Sequence, residues 1–217
     1  MKDIKAIIFD LDGLMFDTER MNLSLINKLG ATYGIRMSED DYAKLLGLGP
    51  ESMEFINKEF PYFSRLGFSD EKRTEYIREY FKKPGDANKE GLRELYEYAR
   101  KRYKIAIGSN SAMTFIRSML DYSGFSMDFD FILGGDMGIK SKPEPDIYLT
   151  IAKKLGVRPE NCIVLEDSKT GLMAAKRANM LSVFIEDMVH YNSEIEEYMQ
   201  YQCKSLNEVI NILRSLR

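Results

Sequence analysis

The sequence predicts an α/β fold, a doubly wound (Rossmann-like) parallel sheet core with an inserted all-α helical bundle. Short apolar runs such as Ala6–Phe9, Ile105–Ile107, Cys162–Leu165 and Leu181–Ile185 have almost no polar break, as expected of strands buried on both faces. Segments with apolar residues at helical spacing separate the later runs, and that alternation argues for a parallel sheet. Residues 17–84 break the rhythm: helical spacing persists, strand-like runs vanish and charges are dense. The expected division is an α/β core of residues 1–16 plus 85–217 and a helical unit of residues 17–84.

In chain order, the first strand stops abruptly on acid. Asp10 and Asp12 lie two apart, so in extended chain their side chains point the same way, and Gly13 permits a tight turn after them. Met21, Leu23, Leu25, Ile26 and Leu29 predict a helix ending near Gly30 or Gly34, and Ser38 caps a second. Pro50 opens a third with Met53, Phe55 and Ile56; Ser69 opens a fourth with Tyr76, Ile77, Tyr80 and Phe81.

After Pro84-Gly85 a helix with Leu92, Leu95, Tyr96 and Ala99 leads into the strand Lys104–Gly108, which ends at Ser109-Asn110-Ser111. A helix around Phe115 to Leu120 precedes a third strand-like run, Phe129–Gly135. Pro145 to Leu155 reads as a helix, Cys162–Asp167 as the fourth strand, Thr170 to Ala178 as a helix and Leu181–Ile185 as the fifth strand. Ser205-x-x-Glu208 is a capping-box pattern before a last helix with Val209, Ile210 and Leu213.

Composition narrows the class. In 217 residues, 44% hydrophobic and 30% charged content is that of an ordinary globular protein, and a net charge of −3 gives no basic field to draw in nucleic acid. No stretch approaches membrane-spanning length and the N-terminal segment lacks signal-peptide architecture, so a cytoplasmic protein without membrane or obligate protein partner is expected. Cys162 and Cys203 have no metal-ligand or disulfide spacing and read as packing or surface residues. Most methionines read as packing residues, with Met15 and Met21 as candidates to line a pocket; the lone His190 reads as a surface or loop residue.

Ligands of open parallel sheets bind outside the carboxyl ends of the strands. Those ends carry Asp10 and Asp12, Ser109, and Glu166-Asp167, while Lys142 lies in the loop Ser141–Pro145. Four carboxylates, a hydroxyl and an ammonium on one edge suit a phosphoryl group held with Mg²⁺. Each block alone is an ordinary turn or helix cap; their order along the chain is what argues for a site.

Together the blocks resemble the four motifs of the haloacid dehalogenase-like hydrolases, and the resemblance spans essentially the whole chain. Asp-x-Asp-Gly-x-x-x-Asp-Thr-Glu resembles the first motif, which implies Asp10 as nucleophile and Asp12 as general acid/base. Ser109 matches the phosphate-binding residue of the second, Lys142 the lysine of the third and Glu166-Asp167 the acidic pair of the fourth. The resemblance further implies phosphate contacts from Gly13 and Asn110, and Mg²⁺ held by Asp10, the Asp12 backbone carbonyl and Asp167, with Glu166 either reaching the metal through water or orienting Lys142. The strings around Lys142 and Glu166 look like the subgroup of β-phosphoglucomutase and sugar-phosphate phosphatases, in which a helical cap follows the first strand.

The implied activity is hydrolysis of a small phosphorylated metabolite, a sugar phosphate or nucleotide-like monophosphate, through an aspartyl-phosphate; the alternative is a β-phosphoglucomutase-like phosphomutase. Where such mutases carry a cap histidine this chain has Asn22, and its loop Leu46–Glu51 lacks their arginine, departures that favour the phosphatase. Dehalogenation does not need the second carboxylate at Asp12, and a receiver-type signalling module would order its residues differently and lack the helical insert.

Overall fold

The computed structural model describes residues 3–48, 52–61 and 63–216. Its sheet has six parallel strands in the order β3-β2-β1-β4-β5-β6: β1 (Ala6–Phe9), β2 (Lys104–Gly108), β3 (Phe131–Leu133), β4 (Cys162–Glu166), β5 (Leu181–Ile185) and β6 (Tyr201–Cys203). β1 is central, and its alternation divides the core. Ile7 and Phe9 join Ile105, Ile107, Ile163 and Leu165 on one face, while Ala6 and Ile8 join Ala106 and Val164 on the other. Every side chain of β1 is fully buried, so each large apolar one contributes about 1.5–3 kcal/mol.

The first face is covered by α5 (Leu92–Arg100), α6 (Met113–Tyr122) and α10 (Leu206–Ser215), the second by α7 (Asp146–Leu155) and α8 (Lys169–Arg177). α9 (Ser193–Glu196) is a single turn before β6. The chain winds outward from β1 in both directions, so the topological switch falls between β1 and β4, and the crevice at their carboxyl ends is the expected ligand position.

Among the described residues, four α-helices lie between β1 and α5: α1 (Thr18–Gly30), α2 (Glu39–Leu48), α3 (Ser52–Glu59) and α4 (Asp70–Tyr80). Leu23, Ile26, Met37, Tyr42, Leu45, Ile56 and Leu66 give them a hydrophobic cluster of their own, completed by Met188 from beyond β5. Ser38 accepts from the Asp41 amide at 3.1 Å and Ser69 from the Lys72 amide at 3.4 Å, as their cap positions predicted. The expected start of the third helix at Pro50, and residues 49–51 of the loop compared with mutases, lie outside the described residues.

Three expectations are corrected. β6 was not foreseen: it is three residues long at the sheet edge, too short to show a periodicity. The third strand is shorter than Phe129–Gly135: before it the Asp130 carboxylate accepts from the Ile105 amide at 2.8 Å, and after Leu133 the chain turns away, the Gly135 amide donating to Ser111 O at 2.9 Å. The capping box is displaced, with Glu208 Oε2 accepting from the Lys204 amide at 2.8 Å and Ser205 making no side-chain cap.

Candidate active site

Between the carboxyl edge of the sheet and the inserted helices lies a cavity of about 330 Å³. Asp10, Asp12, Ser109, Asn110, Lys142 and Asp167 line it from the sheet side, and Glu19, Asn22, Tyr42 and Arg73 from the helices. The blocks separated in sequence therefore meet on one edge, the acids and Ser109 at the ends of β1, β2 and β4 and Lys142 on the loop between β3 and α7.

Lys142 is the hub of one half. Its ammonium is buried and donates to Asp10 Oδ1 and, at 2.6 Å, to Glu166 Oε1. Glu166 Oε1 also accepts from Tyr148 Oη at 2.5 Å, and Oε2 from the Ser168 hydroxyl at 2.9 Å. Both oxygens of Glu166 are thus engaged by the protein. Gly171 leaves room for this carboxylate, since a Cβ there would stand 1.8 Å from Oε1. Asn110 sets the lysine loop, its Oδ1 accepting from the Lys142 amide at 3.1 Å. Burial opposes the lysine's charge, but Asp10 and Glu166 outweigh it and hold the ammonium well above its ordinary pKa. Burial also drives Asp10 well above the carboxyl range; Lys142 works against that, and Glu166 and Asp12 add to it.

Asp12 faces the other half. Its Oδ1 accepts from Arg73 Nη2 at 2.5 Å and from Thr18 Oγ1 at 2.8 Å, its Oδ2 from Ser111 Oγ at 2.6 Å and Ser109 Oγ at 3.3 Å. Burial would raise this carboxyl too, but the Arg73 charge, then the Ser111 and Thr18 hydrogen bonds, bring it below its ordinary value. Arg73 also donates to Asn22 Oδ1 at 2.9 Å and stacks 3.8 Å from the centre of the Phe115 ring. Two aspartates two residues apart are therefore held in opposite electrostatic states.

Asp167 is buried and makes no hydrogen bond or ion pair among the described residues. Burial first, then Asp10 and Glu166, raise its pKa well above the ordinary range. Asp10, Glu166 and Asp167 each offer an oxygen within 4.8 Å of one another. A buried, all-oxygen, anionic donor set in which one carboxylate lacks a partner fits a hard divalent cation.

Gly13, expected at the phosphate, is not among the residues lining the cavity. Its amide donates to Phe16 O at 3.0 Å, and its contribution is steric, because a Cβ would stand 2.0 Å from Asp167 Oδ2. Met15 and Met21 do not line the cavity either; both are fully buried in the core beneath β1. His190 is exposed and contacts Glu186 at 2.8 Å.

Arg73 and Tyr42 were missed in the sequence. Arg73 sits four residues before Ile77 on the buried face of α4, and a cation on an apolar stripe was the available signal. Tyr42 was hidden because its partner Glu19, bound through Oη at 2.5 Å, lies on another helix. Burial, then the Asp12 charge, push Glu19 up to about 7 against the hydrogen bonds of Tyr42 and Asn22. Above the ordinary value of 4.5 the folded chain thus keeps a proton that the unfolded chain releases, so this group lowers stability as pH rises from about 4.5 to about 7. Glu19→Gln is expected to remove that segment of slope. In urea titrations in chelator, the stability difference should move in the variant's favour by up to about 3 kcal/mol between those pH values; parallel profiles would refute it.

The model of the family described as haloacid dehalogenase-like hydrolase matches residues 7–185, from β1 through β5. The chain belongs to the haloacid dehalogenase-like hydrolases. It is 32% identical to the Bacillus subtilis protein YhcW over 95% of this chain and 94% of that one. It is also 27% identical to the phosphorylated carbohydrates phosphatase of Thermotoga maritima, covering 98% of this hydrolase and 100% of the relative. Among solved structures, the β-phosphoglucomutase of Clostridium difficile superposes with a TM-score of 0.76 at 28% identity, over 98% of this chain and 96% of that one. The hydrolase is accordingly an enzyme of the phosphoric monoester hydrolase class, with the α/β fold expected of it. No helix among its described residues is long and apolar enough to cross a membrane.

Proposed function

We propose that this chain is a Mg²⁺-dependent phosphatase that hydrolyses a small phosphorylated metabolite, a sugar phosphate or nucleotide-like monophosphate, through an aspartyl-phosphate. The observation that carries the reading is the opposite setting of Asp10, beside Lys142 and the acid cluster, and Asp12, beside Arg73, on one cavity. Distinct environments assign distinct roles to paired carboxylates.

In this reading Asp10 attacks phosphorus; its oxygen–phosphorus bond forms as the bond to the departing alcohol breaks, and Asp12 protonates the leaving oxygen. Asp12 then takes a proton from the water that cleaves the aspartyl-phosphate, which frees phosphate and restores Asp10. Lys142 and Ser109 hold phosphate oxygens, and Glu166 orients Lys142. Arg73 keeps Asp12 ionised in the substrate-free chain, and an incoming phosphate competes for the guanidinium, so that Asp12 acquires the proton an acid needs. Mg²⁺ held by Asp10, Asp167 and the Asp12 backbone carbonyl would offset charge on the phosphoryl oxygens. Residues 17–84 serve as a cap, with Glu19 and Tyr42 facing the leaving group, and closure excludes solvent.

The names of two relatives, the Thermotoga phosphatase and the hexitol phosphatase B of Escherichia coli, support a sugar phosphate. The likeness to the Clostridium mutase supports the rival phosphomutase; against it, Asn22 is an amide without a titrating proton, tied to Arg73. The test is phosphate release from a panel of sugar and nucleoside monophosphates. Release from a sugar phosphate is expected, lost in EDTA and restored by Mg²⁺. A long-lived phosphorylated Asp10 without release would indicate the mutase, and the absence of both release and phosphorylated Asp10 would overturn the reading.

A further inference from the structure

Asp187 follows β5 at the same sheet edge and belongs to none of the four blocks. Its side chain is 1% exposed. Its two oxygens differ: Oδ1 accepts from Arg20 Nη1 and Lys89 Nζ, each at 2.6 Å, while Oδ2 is buried with no hydrogen-bond partner among the described residues. Oδ2 lies near the Asp167 carboxylate of the acid cluster, since Asp167 Oδ2 and Asp187 Oδ2 lie 2.0 and 3.3 Å from the point a Cβ on Gly13 would occupy. A buried acceptor without a donor is costly, and water carried by a cation is a donor that this position lacks among the described residues.

The cations on Oδ1 identify a second connection. Arg20 stands on α1, just past the outgoing crossing from sheet to helices, and also pairs with Asp17 at 2.7 Å. Lys89 stands on the returning crossing, where its amide donates to Met15 O at 3.0 Å and the Asp17 amide to Ala87 O at 2.8 Å. The next residue, Met188, packs with Leu23, Ile26 and Tyr42 in the helical cluster. One carboxylate thus ties both crossings to the edge that carries the acids.

We propose that Asp187 is a positioning residue for the cation site, its Oδ2 accepting a hydrogen bond from water in the cation's hydration shell while Oδ1 holds both crossings in register. The inference rests on the cation reading given above. Mg²⁺ retains several waters when bound by few carboxylates, and partners outside the ligand set typically change affinity 10–100-fold.

The test is calorimetric titration of Mg²⁺ into the substrate-free full chain, with melting in chelator alongside. Asp187→Asn is expected to raise the Kd about tenfold or more and to shrink the Mg²⁺-induced rise in Tm. Asp17→Asn, which neutralises the other carboxylate paired with Arg20 and spares Asp187, is expected to keep the original Kd. An unchanged Kd in Asp187→Asn overturns the inference and leaves the cation reading standing; equal weakening in Asp17→Asn also overturns it, by assigning the effect to loosened crossings. No Mg²⁺ binding to the unaltered chain overturns both. Should Asp187→Asn fail to fold, Asp187→Asn/Lys89→Met removes the stranded ammonium as well and carries the same expectation.

Discussion

Asp10→Asn is expected to lower phosphate release by more than about a thousandfold while leaving the fold intact. The amide cannot form the acyl phosphate, so both halves of the proposed reaction are lost together. Stability should hold or rise, because the native carboxyl is driven well above its ordinary range by burial and then by neighbouring acids, and an uncharged isostere escapes that penalty. Lys142 retains Glu166 as a partner at 2.6 Å, so no cation is stranded. Initial rates on the best panel substrate, with Tm measured in chelator, check both halves. Activity within tenfold of the parent would remove Asp10 from the nucleophile's role.

Lys142→Met is expected to be the most destabilising of these changes. The ammonium is the common partner of Asp10 and Glu166 in a site where all three side chains are buried. Removing one member of such a cluster leaves uncompensated charge and costs about 3–5 kcal/mol. The sign with pH follows: without the lysine the carboxyls hold protons to higher pH in the folded state, so the deficit shrinks on acidification and widens toward neutrality. Urea unfolding in chelator at pH 5 and pH 7.5 measures it. Adding Glu166→Gln should recover part of the loss, as non-additivity within one network demands. A deficit below about 1 kcal/mol at both pH values would mean that water already screens the cluster.

What local sequence could decide, it decided well. An unbroken apolar run such as Ala6–Phe9 or Cys162–Leu165 is stable only between two packed layers, so burial on both faces was legible from composition alone. Because a parallel strand must end before its crossover, the polar residues following each run had to share one edge, which is why Asp10, Ser109, Lys142 and Glu166-Asp167 could be grouped without coordinates. Helix caps at Ser38 and Ser69 were equally readable, being contacts over three residues.

Tertiary structure alone decided which charges meet. Arg73 finds Asp12 across 61 positions of chain, and Lys142 finds Asp10 across 132, separations over which no periodicity carries information. The same holds for Asp187, whose partners Arg20 and Lys89 come from the two crossings. It holds for β6, an edge strand that among the described residues pairs with β5 alone. Gly13 shows the division within one residue. Its backbone freedom, with φ at +71°, was apparent from the turn it makes. That its missing side chain leaves room for Asp167 depends on a strand more than 140 residues away, since sterics between distant segments exist only after the sheet has closed.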